Sequence, residues 1–177
     1  KLARGPYSYL LESAAQGGEK WSRYSIVGLP ATKIIKISGQ TISTFVSGEV
    51  VDSFSHPDPL QYIEEILDSI NYPDVEDMPI YTGGLVGYFG YDTVRYVEKN
   101  LKDNMPTDVL ELPDIQLMYS NDLVIFDNVK GRMHLVTHAD PLEDGSFEQA
   151  QLRLDKMSLA MASDCLLYTS PSPRDFT

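Results

Sequence analysis

Cysteine is almost absent. Cys165 stands alone in 177 residues, and a lone thiol excludes an internal disulfide framework. It also fits a reducing compartment, which makes the cytoplasm the expected location. Positive charge is scarce as well: 14 Lys+Arg face 26 Asp+Glu, for a formal charge of -12. A surface that negative repels phosphate backbones, so nucleic acid is not an expected partner. No apolar run approaches bilayer length, and the first residues lack the basic-then-apolar order of a signal peptide, so no membrane association is expected. Nucleotide-loop chemistry is missing too. Gly84, Gly87 and Gly90 follow G-x-x-G-x-x-G, whereas a dinucleotide fingerprint needs G-x-G-x-x-G, and there is no Gly-Lys-Ser/Thr. The remaining reading of these glycines is a strand in which they admit close backbone approach or bulges.

What is present is ample apolar material, 42% of residues, enough for the core of one domain. Short β-favouring runs at Tyr7 to Leu11, Tyr24 to Val27, Thr32 to Ser38, Thr41 to Val46 and Glu49 to Phe54 predict an antiparallel meander. Ser38-Gly39-Gln40 and Ser47-Gly48-Glu49 supply its hairpin turns. At Asp58 the period becomes helical. Asp58 is the expected N-cap, Pro59 the first helical residue and Gln61 the partner in a capping box. Leu60, Ile63, Leu67 and Ile70 share one face of that helix, which should end near Asn71-Tyr72-Pro73. An acidic loop with Asp74, Glu76 and Asp77 follows as a solvated connection, and a short helix is expected from Asp92. Leu123 to Phe126 and Met133 to Thr137 form a hairpin through Asn128-Val129-Lys130-Gly131, and Phe147, Ala150, Leu154, Met157 and Met161 mark a last helix. The expected class is α+β: mostly antiparallel sheet with flanking helices.

The chain opens at Lys1 without a methionine and runs at once into Tyr7-Ser8-Tyr9-Leu10-Leu11, which predicts a fragment at both ends. From Cys165 to Asp175 there is neither a core-facing period nor a helix stop. That text resembles translated sequencing-adapter read-through, with a natural Pro/Ser-rich tail as the alternative, and either is expected to be disordered. The expected domain is therefore 1–163, with 164–177 outside the fold and its sites.

Candidate chemistry is sparse. His134 and His138 are four apart, but their neighbours predict a strand, where roughly 13 Å would separate them and no shared metal is expected. His56, before Pro57, has no visible partner. The many carboxylates and serines single out no nucleophile with a base, and Ser13 lacks the flanking glycines of a nucleophile elbow. Read alone, Glu12-Ser13 is a strand end with a capping hydroxyl.

Leu10-Leu11-Glu12-Ser13, followed by Gly17-Gly18-Glu19-Lys20-Trp21-Ser22-Arg23-Tyr24-Ser25-Ile26-Val27-Gly28, resembles the N-terminal region of component I of anthranilate synthase. Gly83-Gly84-Leu85-Val86-Gly87-Tyr88-Phe89-Gly90-Tyr91-Asp92 resembles the same family's glycine-tyrosine signature. A looser match is Leu112-Pro113-Asp114 leading into Asn121-Asp122, so the resemblance runs from about Tyr7 to Thr137. It implies a whole protein that converts chorismate and ammonia to anthranilate and pyruvate, using Mg²⁺, with ammonia released from glutamine by a separate amidotransferase subunit. In that family the chorismate and Mg²⁺ residues lie in the C-terminal region, so no catalytic or metal residue is carried over to this chain.

The resemblance implies instead a share of the allosteric tryptophan pocket, at Leu11, Glu12 and Ser13, with Arg23 and Ser25. A buried amino acid needs partners for its ammonium and carboxylate, and Glu12, the Ser13 hydroxyl and backbone groups can provide them while Leu11 walls the indole. Three alternatives stand beside this: component I of aminodeoxychorismate synthase in the folate pathway, a stand-alone amino-acid-binding regulatory module, and a purely structural domain.

Overall fold

The computed structural model describes residues 3–12, 23–70, 75–101 and 110–164. These residues form β1 (Tyr9–Glu12), β2 (Tyr24–Gly28), β3 (Lys33–Ser38), β4 (Thr41–Val46), β5 (Glu49–Ser55), α1 (Pro59–Ser69), β6 (Gly84–Phe89), α2 (Val94–Val97), β7 (Ile115–Ser120), β8 (Asp122–Asp127), β9 (Arg132–Thr137) and α3 (Ser146–Asp164). All described strand pairings are antiparallel, and helices flank the sheets, which is the expected α+β class.

The meander expected from the first five strands is split between two sheets. Only β3, β4 and β5 form one continuous meander, in a five-stranded sheet ordered β5-β4-β3-β7-β6. The chain leaves its first hairpin through Leu29-Pro30-Ala31-Thr32, and β1-β2 pair instead with the later hairpin in a four-stranded sheet ordered β1-β2-β8-β9. The physical reason lies in β7, which the sequence reading had not placed. Its Ile115 and Leu117 are almost wholly buried and it pairs with both β3 and β6, so β3 has a partner on each side and β2 turns to β8.

One core fills the space between the five-stranded sheet and α1, where Ile35, Ile37 and Ile42 meet Ile63 and Ile66. The helix starts as expected: the Asp58 carboxylate accepts the Leu60 and Gln61 N–H groups at 3.1 and 3.2 Å, and Pro59 occupies the first turn. The capping box does not close. Gln61 donates to Glu65 at 3.1 Å, while the Asp58 N–H donates to His56 Nδ1 at 3.2 Å. Ile66, not Leu67, carries the buried face, because Ile63 and Ile66 at a spacing of three aim at the sheet while Leu67 is 48% exposed. Helix α1 ends at Ser69 with Ile70 as its cap; the expected stop residues 71–73 lie outside the described residues.

The glycine-rich stretch is strand β6, with the close approach expected of it: a Cβ on Gly87 would lie 1.9 Å from the Gln116 carbonyl oxygen of β7. The short helix after it begins as a 3₁₀ turn at Tyr91–Thr93 and continues as α2. The β8–β9 hairpin forms with Gly131 at φ 60°. Helix α3 packs on β9, burying Ala150 and Met157 of the expected stripe but leaving Phe147 71% exposed. No helix among the described residues is long and apolar enough to cross a membrane. The proposed tail from Cys165 onward lies outside the described residues.

Candidate functional site at the first hairpin

Strand β1 is an edge of the four-stranded sheet and antiparallel to β2, with Leu11 opposite Ile26 and Glu12 opposite Ser25. The register therefore brings together three of the five residues singled out from sequence. Strand alternation puts Glu12 and Ser25 on one face and Leu11 on the other. Ser13, the next residue, lies outside the described residues. Leu10 and Leu11 are 55% and 48% exposed, so the edge offers apolar side chains beside a carboxylate and the open backbone groups of an edge strand. Such an edge can hydrogen-bond both ends of an amino acid while shielding its side chain.

Arg23 is placed differently. Its guanidinium engages Asp127 through Nε at 3.1 and 3.2 Å and through a terminal nitrogen at 2.7 Å, and it stacks 4.8 Å from the centre of the Tyr24 ring. Asp127 is 2% exposed and also accepts the Val129 and Lys130 N–H groups, at 3.1 and 2.9 Å. The Arg23 hydrogen bond, with these backbone donors, holds the Asp127 carboxyl well below the usual carboxylate range. The pair thus ties the start of β2 to the β8–β9 turn. Nearby, Asn128 donates to the Ser25 hydroxyl at 3.3 Å, and Lys130 bridges to Asp77 at 2.8 Å.

At the opposite end of the hairpin lie groups that sequence reasoning did not identify. The Tyr9 hydroxyl is 2.6 Å from the Ser120 hydroxyl and 3.0 Å from that of Tyr81, joining β1 to the end of β7. Gly28 makes room for this, since a Cβ there would sit 2.0 Å from the Tyr9 ring. Beyond it, an open cavity of about 800 Å³ lies where both sheet-to-sheet crossovers pass, walled by Leu29–Lys33, Asn121–Asp122, the loop from His138 to Glu143, and the first turns of α3. His138 Nδ1 donates to the Asn121 carbonyl at 3.2 Å, and burial lowers its pKa. His134 lies within β9 and His138 just past its end, so the two do not share a helical face. No signal in the sequence joins these groups, whose contacts span up to 111 positions.

Two antiparallel sheets joined by two crossovers, with α1 packed on the five-stranded sheet and α3 against β9, define an α+β domain. Comparison with known proteins makes it specific. Anthranilate synthase component 1 of Pseudomonas putida is 49% identical over 154 residues, which is 87% of this chain and 31% of that protein. Its counterpart from Neisseria meningitidis serogroup B is 40% identical over 173 residues, 96% of this chain and 35% of that protein. The crystal structure of anthranilate synthase component I from Streptococcus pneumoniae TIGR4 shares the fold with a TM-score of 0.60 at 23% identity, over 98% of this chain and 34% of that one. No family model matches. The chain is homologous to anthranilate synthase component 1 and covers only its N-terminal part, about a third of the length of the curated relatives it matches.

Proposed function

We propose that this chain is the regulatory N-terminal part of an anthranilate synthase component that, whole, converts chorismate and ammonia to anthranilate and pyruvate in the cytoplasm. The observation that carries this reading is the 49% identity over 154 residues to a protein named for that activity. Chorismate and Mg²⁺ are assigned to the part of the relatives that this chain does not span, and glutamine-derived ammonia to a separate amidotransferase subunit. Mg²⁺ is placed with chorismate in that same part, and no step through it is given to this chain.

The tryptophan feedback site is proposed at the first hairpin. Leu11, Glu12 and Ser13 contact the ligand, and Ser25 supports them from the paired strand. Arg23 acts through its bond to Asp127, bracing the base of β2. Tryptophan inhibits because it binds one arrangement of this part and the catalytic part better than the other, and only such a difference in affinity moves the equilibrium.

The test is a chimera in which this chain replaces the matched third of the Pseudomonas putida relative. It should make fluorescent anthranilate from chorismate and ammonia and be inhibited by tryptophan, whereas this chain alone should make none. Ser13→Ala in the chimera should raise the half-inhibiting tryptophan concentration about tenfold or more, as expected for a lost hydrogen bond to a charged group, with turnover largely kept. A chimera that turns over normally but ignores tryptophan defeats the regulatory reading, and unchanged inhibition in the variant removes the Ser13 assignment.

A further inference from the structure

Strand β1 is held by little. Its only neighbour in the sheet is β2, and of its four side chains Leu10, Leu11 and Glu12 are exposed, leaving Tyr9 as the one that reaches inward. The Tyr9 ring, like Met78 and Tyr81, packs against the core of Leu123, Ile125 and Val136. It lies across Gly28, its partner on β2, where a Cβ would leave no room for it.

The hydroxyl of that ring meets two more. It is 2.6 Å from the Ser120 hydroxyl and 3.0 Å from that of Tyr81, and because a hydroxyl donates once and also accepts, Tyr9 can satisfy both contacts together. Ser120 ends β7 in the five-stranded sheet, is 2% exposed, and only Asn121 separates it from Asp122, where β8 begins in the other sheet. Tyr81 stands three residues before β6 of the five-stranded sheet. The Tyr9 side chain therefore ties an edge strand of one sheet to the crossover between the two. The backbone just before β1 is fixed to the other crossover, where the Tyr7 carbonyl accepts the Ala31 N–H at 3.0 Å. Tyr7 itself has φ 61°, a left-handed conformation that a tyrosine adopts only at a cost. A strained entry, an edge position and three exposed side chains leave β1 dependent on its one anchor. At roughly 3.3 Å per residue, that anchor lies about 10 Å along the strand from Glu12.

We propose that Tyr9 is a positioning residue for the tryptophan site: its hydroxyl clips β1 to Ser120 and Tyr81 and so presets where Leu11 and Glu12 stand. This role rests on the assignment of tryptophan to the first hairpin. Without the clip β1 keeps its backbone ladder to β2 but loses its side-chain hold on the second sheet, and the ligand must order the strand as it binds. Ordering a loose element lowers affinity without removing any contact to the ligand. Chorismate turnover, assigned to the part that this chain does not span, does not depend on the clip.

The experiment measures tryptophan inhibition, kcat and the chorismate KM in the chimera with the Pseudomonas putida relative, for the parent, Tyr9→Phe, Ser120→Ala and the two changes together. Tyr9→Phe keeps the ring and removes only the hydroxyl. It should raise the half-inhibiting tryptophan concentration about fivefold, the loss expected for a hydrogen bond between neutral groups, with kcat and KM unchanged. Ser120→Ala breaks the same bond from the other side and serves as the second variant should the first fail to fold. The double variant should match Tyr9→Phe, because both changes remove one shared bond. Unchanged inhibition in Tyr9→Phe, effects that multiply in the double variant, or a fall in kcat that parallels the loss of inhibition would each overturn the role, the last by showing that Tyr9 only supports the fold. A parent chimera that ignores tryptophan overturns the hairpin site and this role with it. A parent that is inhibited, and a Ser13→Ala variant that is not, keep the hairpin site standing even where Tyr9→Phe changes nothing.

Discussion

Asp127 is 2% exposed and ionised, and Arg23 with two backbone N–H groups is what makes that possible. The consequence for stability has a definite sign. A carboxyl whose folded pKa is depressed contributes stability above its unfolded value, near 4 for aspartate, and loses that contribution as pH falls toward the folded value. The protein should therefore lose thermal stability between about pH 5 and pH 2 more steeply than Asp127→Asn, while the variant should be the less stable of the two at pH 7. Melting temperatures measured by circular dichroism across that range check it; parallel acid limbs would mean that the pair is not coupled to folding. At this scale the sequence was only partly legible. The resemblance picked out Arg23, but its carboxylate lies 104 positions away, and no local pattern marks a partner at that distance. The same resemblance named Glu12 and Ser25, but only the register shows them to be neighbours.

Elements were more legible than their arrangement. Helix α1 illustrates why: its start is written in a local code, Asp58 then Pro59, and the carboxylate caps two N–H groups as that code requires. Asp58→Ala should cost about 1 kcal/mol, the usual loss for an N-cap, measured as a shift in the urea unfolding midpoint at constant slope. A shift indistinguishable from zero would show that packing of Ile63 and Ile66 alone fixes the helix. The choice between Ile66 and Leu67 could not be read locally, since steps of three and four are both helical and the sheet decides which is covered. Strand β7 escaped notice for a related reason. Its Ile-Gln-Leu-Met-Tyr-Ser does alternate in burial at first, but the apolar Met118 and the half-buried Tyr119 interrupt the polar positions, which blurs the period. Missing it also hid why the first hairpin leaves the meander.

On the scale of the molecule, two properties oppose one another. The formal charge of -12 makes copies of this chain repel, while the helix α3 side chains Phe147, Leu152 and Leu159 stand 71%, 59% and 71% exposed, and Tyr91 and Val97 of the segment after β6 stand 93% and 68% exposed. These side chains along α3 and the α2 segment leave apolar surface that a further layer of protein would ordinarily cover. Charge repulsion acts over the Debye length, about 10 Å at 0.1 M salt and about 3 Å at 1 M, whereas apolar contact acts only on touching and is not weakened by sodium chloride. Salt should therefore release association instead of suppressing it. Sedimentation velocity at one protein concentration should show a single slow species at low ionic strength and a faster, concentration-dependent boundary near 1 M sodium chloride. Replacing Phe147 and Leu159 with serine should return the high-salt sample to the slow species. An unchanged boundary at every salt would mean that these side chains are scattered singly over the surface and form no adhesive face. Association that weakens as salt rises would instead point to contacts between opposite charges, for which a chain this acidic has few cations to offer.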